Sequence, residues 1–283
     1  MKISIILTTK NNERTIKKCV ESIISQIGDS CELVVVDNFS TDDTYNIIKN
    51  MTVNTKNIKL FQRWPERNIQ RSLWFEKSIW KYIYFIDSDM YLPKWFIQEL
   101  TNEIDNNTYK CFIVPEKNET WKNYRTKVKA FEREFYQWDS LTEAARIFES
   151  DLYKQIWWFD SKMISCEDRE LTERAQKTNI KIWRLASVVI HDEWEITLSW
   201  LLQKKKYYWW ESISYIQNWW SRIKNIIKLT KRVYFFRPVF YTKRRLYSKR
   251  LTFIPWLITM LSLELVFWWL WLINKIIYKN KNK

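Results

Sequence analysis

The sequence is poor in the residues from which metal-binding and disulfide-linked domains are built. Its 283 residues include one glycine, one histidine and four cysteines. The cysteines lie far apart and form no CxxC pair, so the pattern indicates neither a zinc site nor a disulfide framework. We therefore expect a reducing, cytoplasmic setting, and the strand-like run that begins at Ile3 indicates no signal peptide.

Glycine is the most unusual absence. Average usage of about 7% predicts roughly 20 glycines in a chain of this length. The chain has one glycine but 19 tryptophans. The two residue types together therefore reach the number expected for glycine alone, which indicates that tryptophan stands at many positions where glycine is normally found.

Acidic residues are nearly absent from the end of the chain. Residues 201–283 hold 18 Lys and Arg but two Asp and Glu, which accounts for the net charge of +15. We predict a basic tail over 221–283 that associates with an anionic membrane surface and contains an apolar helix over about 251–277. The apolar run is long enough to span a bilayer. Glu264 would cost about 2.5–3.5 kcal/mol at its centre, so spanning, interfacial and buried soluble helices remain alternatives.

Apolar strands alternate with amphipathic helices in the first hundred residues. Strands are predicted over 3–9, 32–37 and 82–87, and helices over 13–26, 42–50 and 66–80. This alternation predicts an α/β fold with a mostly parallel sheet flanked by helices. Further along, the pattern predicts strands at 110–115 and 144–148 and helices over 93–104, 127–138, from 167 and over 196–220.

Polar residues follow three of these strands, where parallel sheets bind their ligands. Asp87 and Asp89 close the third strand, and two carboxylates there suit Mg²⁺ or Mn²⁺ bridging a diphosphate. Acidic pairs after strands also form plain turns. Asp37 ends the second strand, and the Ser, Thr and Asp residues at 40–44 are typical helix caps.

Four motifs in order resemble the family 2 glycosyltransferases, inverting enzymes with the GT-A fold. They are ISIILTTKNNERTIKKCVESI, ELVVVDNFSTDDT, YIYFIDSDMYLP and WWFDSKMISCEDREL. The resemblance covers residues 1–220 and implies a nucleotide-binding half over about 1–110 and an acceptor half over about 111–220.

The resemblance implies a nucleoside-diphosphate sugar held across the first half of the sheet. Asp37 would bond the base, Asp87 would face the ribose or the metal, and Asp89 would bind the divalent ion. Arg71 would approach the diphosphate, whose oxygens match its guanidinium; a solvated helix arginine is the alternative. The positions expected against the nucleoside are Thr8, Thr9 and Glu13.

The resemblance also implies the catalytic carboxylates. Asp168 would be the general base that takes the proton of the acceptor hydroxyl, and Glu167 would bind acceptor or orient the loop. Acids at a helix start also stabilise the helix dipole by up to about 1 kcal/mol. His191 would be a further metal ligand or an ordinary polar residue at a strand end. Four more residues would shape the acceptor pocket or form ion pairs on a helix surface: Glu132, Arg133, Glu143 and Arg146.

Several tryptophans stand where the resembling sequences carry glycine. Trp157 and Trp158 precede Phe159 and Asp160 in place of two glycines, and Trp74 and Trp80 show the same mismatch. Our hypothesis is that most tryptophans here are UGA codons that the source organism reads as glycine. A genuinely tryptophan-rich, sugar-stacking protein is the alternative.

The sequence therefore predicts a metal-dependent glycosyltransferase at the cytoplasmic face of the cell membrane. It would transfer sugar to a saccharide or lipid-linked acceptor in cell-envelope glycan synthesis. One alternative is a nucleic-acid-binding protein that uses the basic aromatic tail, although the near-neutral first 200 residues favour no nucleic-acid partner. Another is a sugar nucleotidyltransferase, but the first strand is not followed by that class's glycine-rich loop.

Overall fold

The computed structural model divides the chain into two units. The first comprises Met1–Glu119 and Glu143–Glu193, and the second comprises Thr120–Thr142 and Trp194–Lys283. Apart from isolated positions, three predicted segments lie outside the described residues: the helices over 66–80 and 196–220 and the tail over 221–283. Among the described residues, no helix is long and apolar enough to cross a membrane. The residues described are 3–53, 55–63, 70, 71, 75, 80–119, 124–134, 137–138, 143–160, 167–193 and scattered positions from 197 onward.

The first half of the first unit repeats strand and helix. The elements are β1 (Ile3–Thr9), α1 (Glu13–Ile24), β2 (Cys31–Asp37), α2 (Thr44–Thr52), β3 (Ile58–Gln62) and β4 (Tyr82–Asp87). The parallel strands run in the order β3-β2-β1-β4, as the alternation of elements predicts. Strand β3 was not predicted, because its sequence IKLFQ is short and forms no apolar run. Ile58 is its one buried residue.

The second half extends this sheet and adds a small one. The elements are β5 (Met90–Tyr91), α3 (Phe96–Asn106), β6 (Cys111–Ile113), β7 (Glu116–Asn118), β8 (Ala145–Glu149), α5 (Ser150–Gln155), α6 (Glu167–Lys177), β9 (Ile182–Arg184) and β10 (Val189–His191), with α4 (Tyr124–Glu134) in the second unit. The large sheet has the order β3-β2-β1-β4-β8-β6-β9, with β8 antiparallel to both neighbours, and the small sheet has the order β5-β10-β7. The mostly parallel, helix-flanked fold is therefore confirmed.

Both faces of the large sheet are covered, so its central strands are mostly apolar. On β4, Tyr84 and Ile86 join the core formed with α1 and α3, whereas Ile83 and Phe85 join the core formed with α5 and α6. Phe159 lies in the second core, 4% exposed, with its ring 5.0 Å from that of Phe85. Because the side chains of β4 are packed alternately into the two cores, the position of Asp87 at the end of this strand is fixed.

Tryptophan occupies backbone positions that favour glycine. The residues described with positive φ include Trp95 (69°), Trp138 (62°), Trp157 (62°) and Trp158 (38°). Left-handed backbone costs a residue with a Cβ about 1–2 kcal/mol. Three of these side chains also bury little surface in return, because Trp95, Trp138 and Trp157 are 72%, 67% and 78% exposed. Backbone and exposure both favour the hypothesis that glycine is the native residue.

We expect Trp95→Gly to raise the free energy of unfolding by about 1 kcal/mol and Tm by about 2–4 °C, because it relieves left-handed strain at the start of α3. Trp183→Gly is the control, since Trp183 lies in β9 and stacks on Tyr109 at 4.7 Å; it should lower Tm. Calorimetry on both variants tests this. Equal losses in Tm, or UGG codons at the four positive-φ tryptophans, would contradict the hypothesis.

Candidate active site

The carboxyl ends of three parallel strands bring predicted donor-binding positions together. Thr9 lies opposite Asp37, and Thr8 lies opposite Asp87. Thr8 and Thr9 are buried, and within the described part of the chain their hydroxyl oxygens have no hydrogen-bond partner. A buried hydroxyl left unpaired is costly. Both hydroxyls therefore lie at this edge with hydrogen-bonding capacity that the described residues do not use.

Reciprocal hydrogen bonds join the loops that follow β1 and β2. The Asn11 side-chain oxygen accepts from the Thr41 amide at 2.8 Å, and φ at Asn11 is 51°. Glu13 was predicted to lie against the nucleoside; the structure places its carboxylate on the amide of Asp43 at 3.0 Å. In return, Asp42 accepts from the amide of Glu13 at 3.1 Å. Each loop thus caps the helix of the other. Asp42 also accepts from the amide of Thr44, the first residue of α2, at 3.1 Å, so the helix-cap interpretation of residues 40–44 is correct for Asp42.

Asp37 is a fully buried carboxylate whose orientation is fixed by its neighbours. Its Oδ2 accepts from the Ser40 amide at 3.1 Å and from the Gln62 side-chain nitrogen at 2.9 Å. The Ser40 hydroxyl donates to the other oxygen. Since a carboxylate oxygen can accept more than one hydrogen bond, Asp37 retains the capacity to accept from a base, and its predicted role stays a prediction.

Arg71 lies at the centre of the site with its side chain completely buried. Its Nη2 is 2.7 Å from Asp87 Oδ1, and its Nη1 is 3.3 Å from Asp168 Oδ1 and 3.7 Å from Glu167 Oε1. The Phe159 ring centroid lies 5.2 Å from the guanidinium carbon. One guanidinium thus joins the acidic motif after β4 to the acidic pair that begins α6. It is no solvated helix arginine.

Arg146 reaches the same carboxylates from β8. Its Nη1 is 3.2 Å from Asp87 Oδ2 and 3.7 Å from Asp168 Oδ2, and its Nε donates to Glu116 at 2.6 Å. Burial acts to lower the pKa of Arg146, but Glu116, Asp87 and Asp168 outweigh it and raise that pKa well above its ordinary value. Arg146 therefore stays charged, and it lies on a strand, so the alternative of an ion pair on a helix surface does not hold for it.

The pairing of the small sheet brings together two of the three predicted metal ligands. Strand β10 pairs with β5, which places His191 Nε2 2.9 Å from Asp89 Oδ2. A carboxylate oxygen beside an imidazole nitrogen is a donor set that suits Mn²⁺, with the remaining positions left for phosphate oxygens. Among the described residues no group of three such ligands occurs, and Asp87 faces the two arginines. Asp89 and His191 therefore fit a divalent ion better than Asp87 does.

The turn that precedes Phe159 is held by helix α6. Arg174 donates to the carbonyl oxygens of Ile156 and Trp158 and pairs with Glu170 at 2.7 Å. Its guanidinium ties the turn to the helix that begins with Glu167. The turn and the predicted base are thereby fixed to one another.

Comparison with known proteins identifies the family. A model described as glycosyl transferase family 2 matches residues 4–160, more than half of the chain. The chain belongs to glycosyl transferase family 2. This confirms the family expected from the four motifs.

Individual curated proteins match this chain over part of their length. The Escherichia coli UDP-Glc:alpha-D-GlcNAc-diphosphoundecaprenol beta-1,3-glucosyltransferase WfaP is 32% identical over 103 residues, 36% of this chain and 39% of that protein. The matches span less than half the length of the curated relatives.

Solved structures show the same fold. S. aureus TarS in complex with UDP-GlcNAc has a TM-score of 0.53 at 21% identity, covering 77% of this chain and 67% of that chain. Mannosyltransferase PcManGT from Pyrobaculum calidifontis, in complex with GDP-Man and Mn²⁺, has a TM-score of 0.59 at 13% identity. The match covers 92% of this chain and 84% of that chain. The predicted GT-A fold is therefore confirmed.

Two contacts of this family 2 site were missed from the sequence. Glu116, which holds Arg146, begins a three-residue strand that shows no periodic pattern. Glu143 was grouped with Arg146, but it pairs with Arg184 at 2.8 Å. The paired residues are 30 positions apart in the first contact and 41 in the second, and no local signal in the sequence specifies such pairs.

The other two residues expected to shape the acceptor pocket lie on α4, in the second unit. They are Glu132 and Arg133, and the side chain of Glu132 is outside the described residues. Their part in binding the acceptor stays a prediction.

Arg71→Met should destabilise the protein by about 3–5 kcal/mol, because it removes the cation 3.7 Å from the buried Glu167 and one of the two arginines that hold Asp87 and Asp168. Lys17→Met is the control, since Lys17 pairs with Glu21 on the surface of α1 with both side chains more than half exposed; it should change stability by less than about 0.5 kcal/mol. Urea unfolding measures both. Equal midpoints would mean that Arg71 does not join these carboxylates in solution.

Proposed function

We propose that the chain transfers a sugar from a nucleoside-diphosphate sugar to an acceptor hydroxyl, with inversion at the anomeric carbon and with a divalent metal ion. The observation that carries the proposal is the ionic cluster that brings Asp87, at the end of β4, together with Asp168, at the start of α6. Donor-side and acceptor-side motifs thereby meet in one place.

Asp168 is the group best placed to act as general base. Its side chain is 26% exposed, whereas that of neighbouring Glu167 is 4% exposed. A base must reach the acceptor hydroxyl, so the more exposed carboxylate suits this role. As Asp168 takes the hydroxyl proton, the acceptor oxygen bonds to the anomeric carbon from the face opposite the diphosphate. The bond to the diphosphate oxygen breaks, and the nucleoside diphosphate leaves.

Glu167 is the group that orients this base. It is buried 3.7 Å from Arg71 Nη1 and begins the helix on which Asp168 lies. On the donor side, Thr8, Thr9 and Asp37 would receive the nucleoside at the strand ends, and Arg71 would approach the diphosphate. Asp89 and His191 would hold Mg²⁺ or Mn²⁺, which when bound neutralises charge on the diphosphate.

The acceptor belongs to the same proposal. WfaP, by its name, acts on a GlcNAc-diphosphoundecaprenol, which supports a lipid-linked acceptor in cell-envelope glycan synthesis. The basic composition of residues 201–283 supports placement at the anionic cytoplasmic face of a membrane.

Asp89→Ala and Asp168→Ala should fail in different ways. We expect Asp89→Ala to weaken Mn²⁺-dependent binding of the donor, and Asp168→Ala to bind donor normally but to lose about 10²–10⁴-fold in transfer rate. Calorimetric titration with UDP-GlcNAc and GDP-mannose, together with release of UDP or GDP, separates the two effects. Asp151→Ala is the control, because Asp151 lies on α5 with its side chain 87% exposed. Normal turnover by Asp168→Ala would refute its role.

The full chain should sediment with vesicles that contain phosphatidylglycerol and be released by high salt, because the tail's attraction to anionic lipid is screened. Vesicles of phosphatidylcholine alone are the control for charge. A chain that stays in the supernatant with both, at low salt, would contradict the membrane placement.

A further inference from the structure

Arg146 has no part in the chemistry described so far, yet it lies among the groups that carry it. It projects from β8, between β4 and β6 in the large sheet, and its side chain is 11% exposed. Within the described residues its Nη1 makes no aligned hydrogen bond, although it lies within 4 Å of two carboxylates. Its contacts there are ionic.

Arg146 and Arg71 together hold both oxygens of two carboxylates. Arg71 faces Oδ1 of Asp87 and of Asp168, at 2.7 and 3.3 Å. Arg146 faces Oδ2 of the same residues, at 3.2 and 3.7 Å. The four side chains form a closed ring of alternating charge, which we call the arginine–aspartate ring. A carboxylate held at both oxygens cannot rotate without losing an ionic contact.

Glu116 holds Arg146 from outside the ring. Its Oε1 accepts from Nε at 2.6 Å, and its side chain is 16% exposed. This bond uses the Nε edge of the guanidinium and leaves Nη1 directed at the two aspartates. A lysine has a single charged nitrogen and cannot occupy both edges at once.

We propose that Arg146 is a positioning residue that holds the Asp168 carboxylate in the orientation in which it accepts the acceptor proton, and that Glu116 holds Arg146 for this task. The proposal rests on the proposed function. Misplacing a reacting group by about 1 Å costs about 10²-fold in rate. Arg146 contacts neither Asp89 nor His191 in the described structure, and Arg71 still holds Asp87 at 2.7 Å when Arg146 is replaced, so its loss should affect turnover more than donor affinity.

The test compares Arg146→Met and Arg146→Lys with the wild-type chain. With UDP-GlcNAc or GDP-mannose and Mn²⁺, release of nucleoside diphosphate gives kcat and KM. We expect Arg146→Met to lower kcat by about 10²-fold with KM within about 3-fold, and Arg146→Lys to recover part of the loss. Lys59→Met is the control, since Lys59 lies on the edge strand β3 and pairs with Glu32 at 2.7 Å, outside the site. It should leave kcat and KM unchanged.

A second measurement does not need activity. In urea unfolding, we compare the double variant with the single variants Arg146→Met and Asp168→Asn. Its unfolding equilibrium constant should differ by about 5-fold or more from the value expected if the two single effects were independent, because both residues belong to the ring. Additive effects would overturn the ring. Unchanged kcat in Arg146→Met would overturn the positioning role alone. A wild-type chain that releases nucleoside diphosphate from neither donor would overturn the proposed function, and with it this role.

Discussion

A guanidinium without access to water must be surrounded by negative charge, and this constraint on Arg71 organises the site. Its side chain is completely buried, so the free energy lost on dehydration has to be offset by carboxylates at close range. Asp87, Glu167 and Asp168 supply them. Because these residues come from β4 and from the start of α6, the burial of one charge fixes a strand end against a helix end.

The apolar core formed with α5 and α6 supports this arrangement. Phe85 and Phe159 belong to the same apolar cluster, and their rings face the guanidinium of Arg71 at 5.8 and 5.2 Å. The turn before Phe159 is tied to α6 through Arg174. The ionic cluster is thus held by packing on one side and by hydrogen bonds to the backbone on the other. Its geometry depends on the fold more than on the strength of any single ion pair.

The fold and much of the site could be predicted because local patterns encode them. Buried parallel strands read as apolar runs, and their polar ends mark the edge where Thr9, Asp37 and Asp87 meet. The partners of Arg146 could not be predicted, since β7 is three residues long and β8 enters the sheet antiparallel. The part of Glu13 in capping α2 was hidden for a related reason: its partner is 30 residues away. Contacts between distant loops follow from the assembled fold, which no local pattern encodes.

The reciprocal caps between the loops after β1 and β2 have a mechanical consequence. Glu13 closes the start of α2, and Asp42 closes the start of α1, so neither loop can swing outward alone without exposing the first turns of both helices. Each loop therefore restrains the other, beside the buried carboxylate of Asp37. If the chain binds a nucleoside here, as proposed, selection among bases would depend on size and hydrogen-bond pattern, with little contribution from closure of either loop.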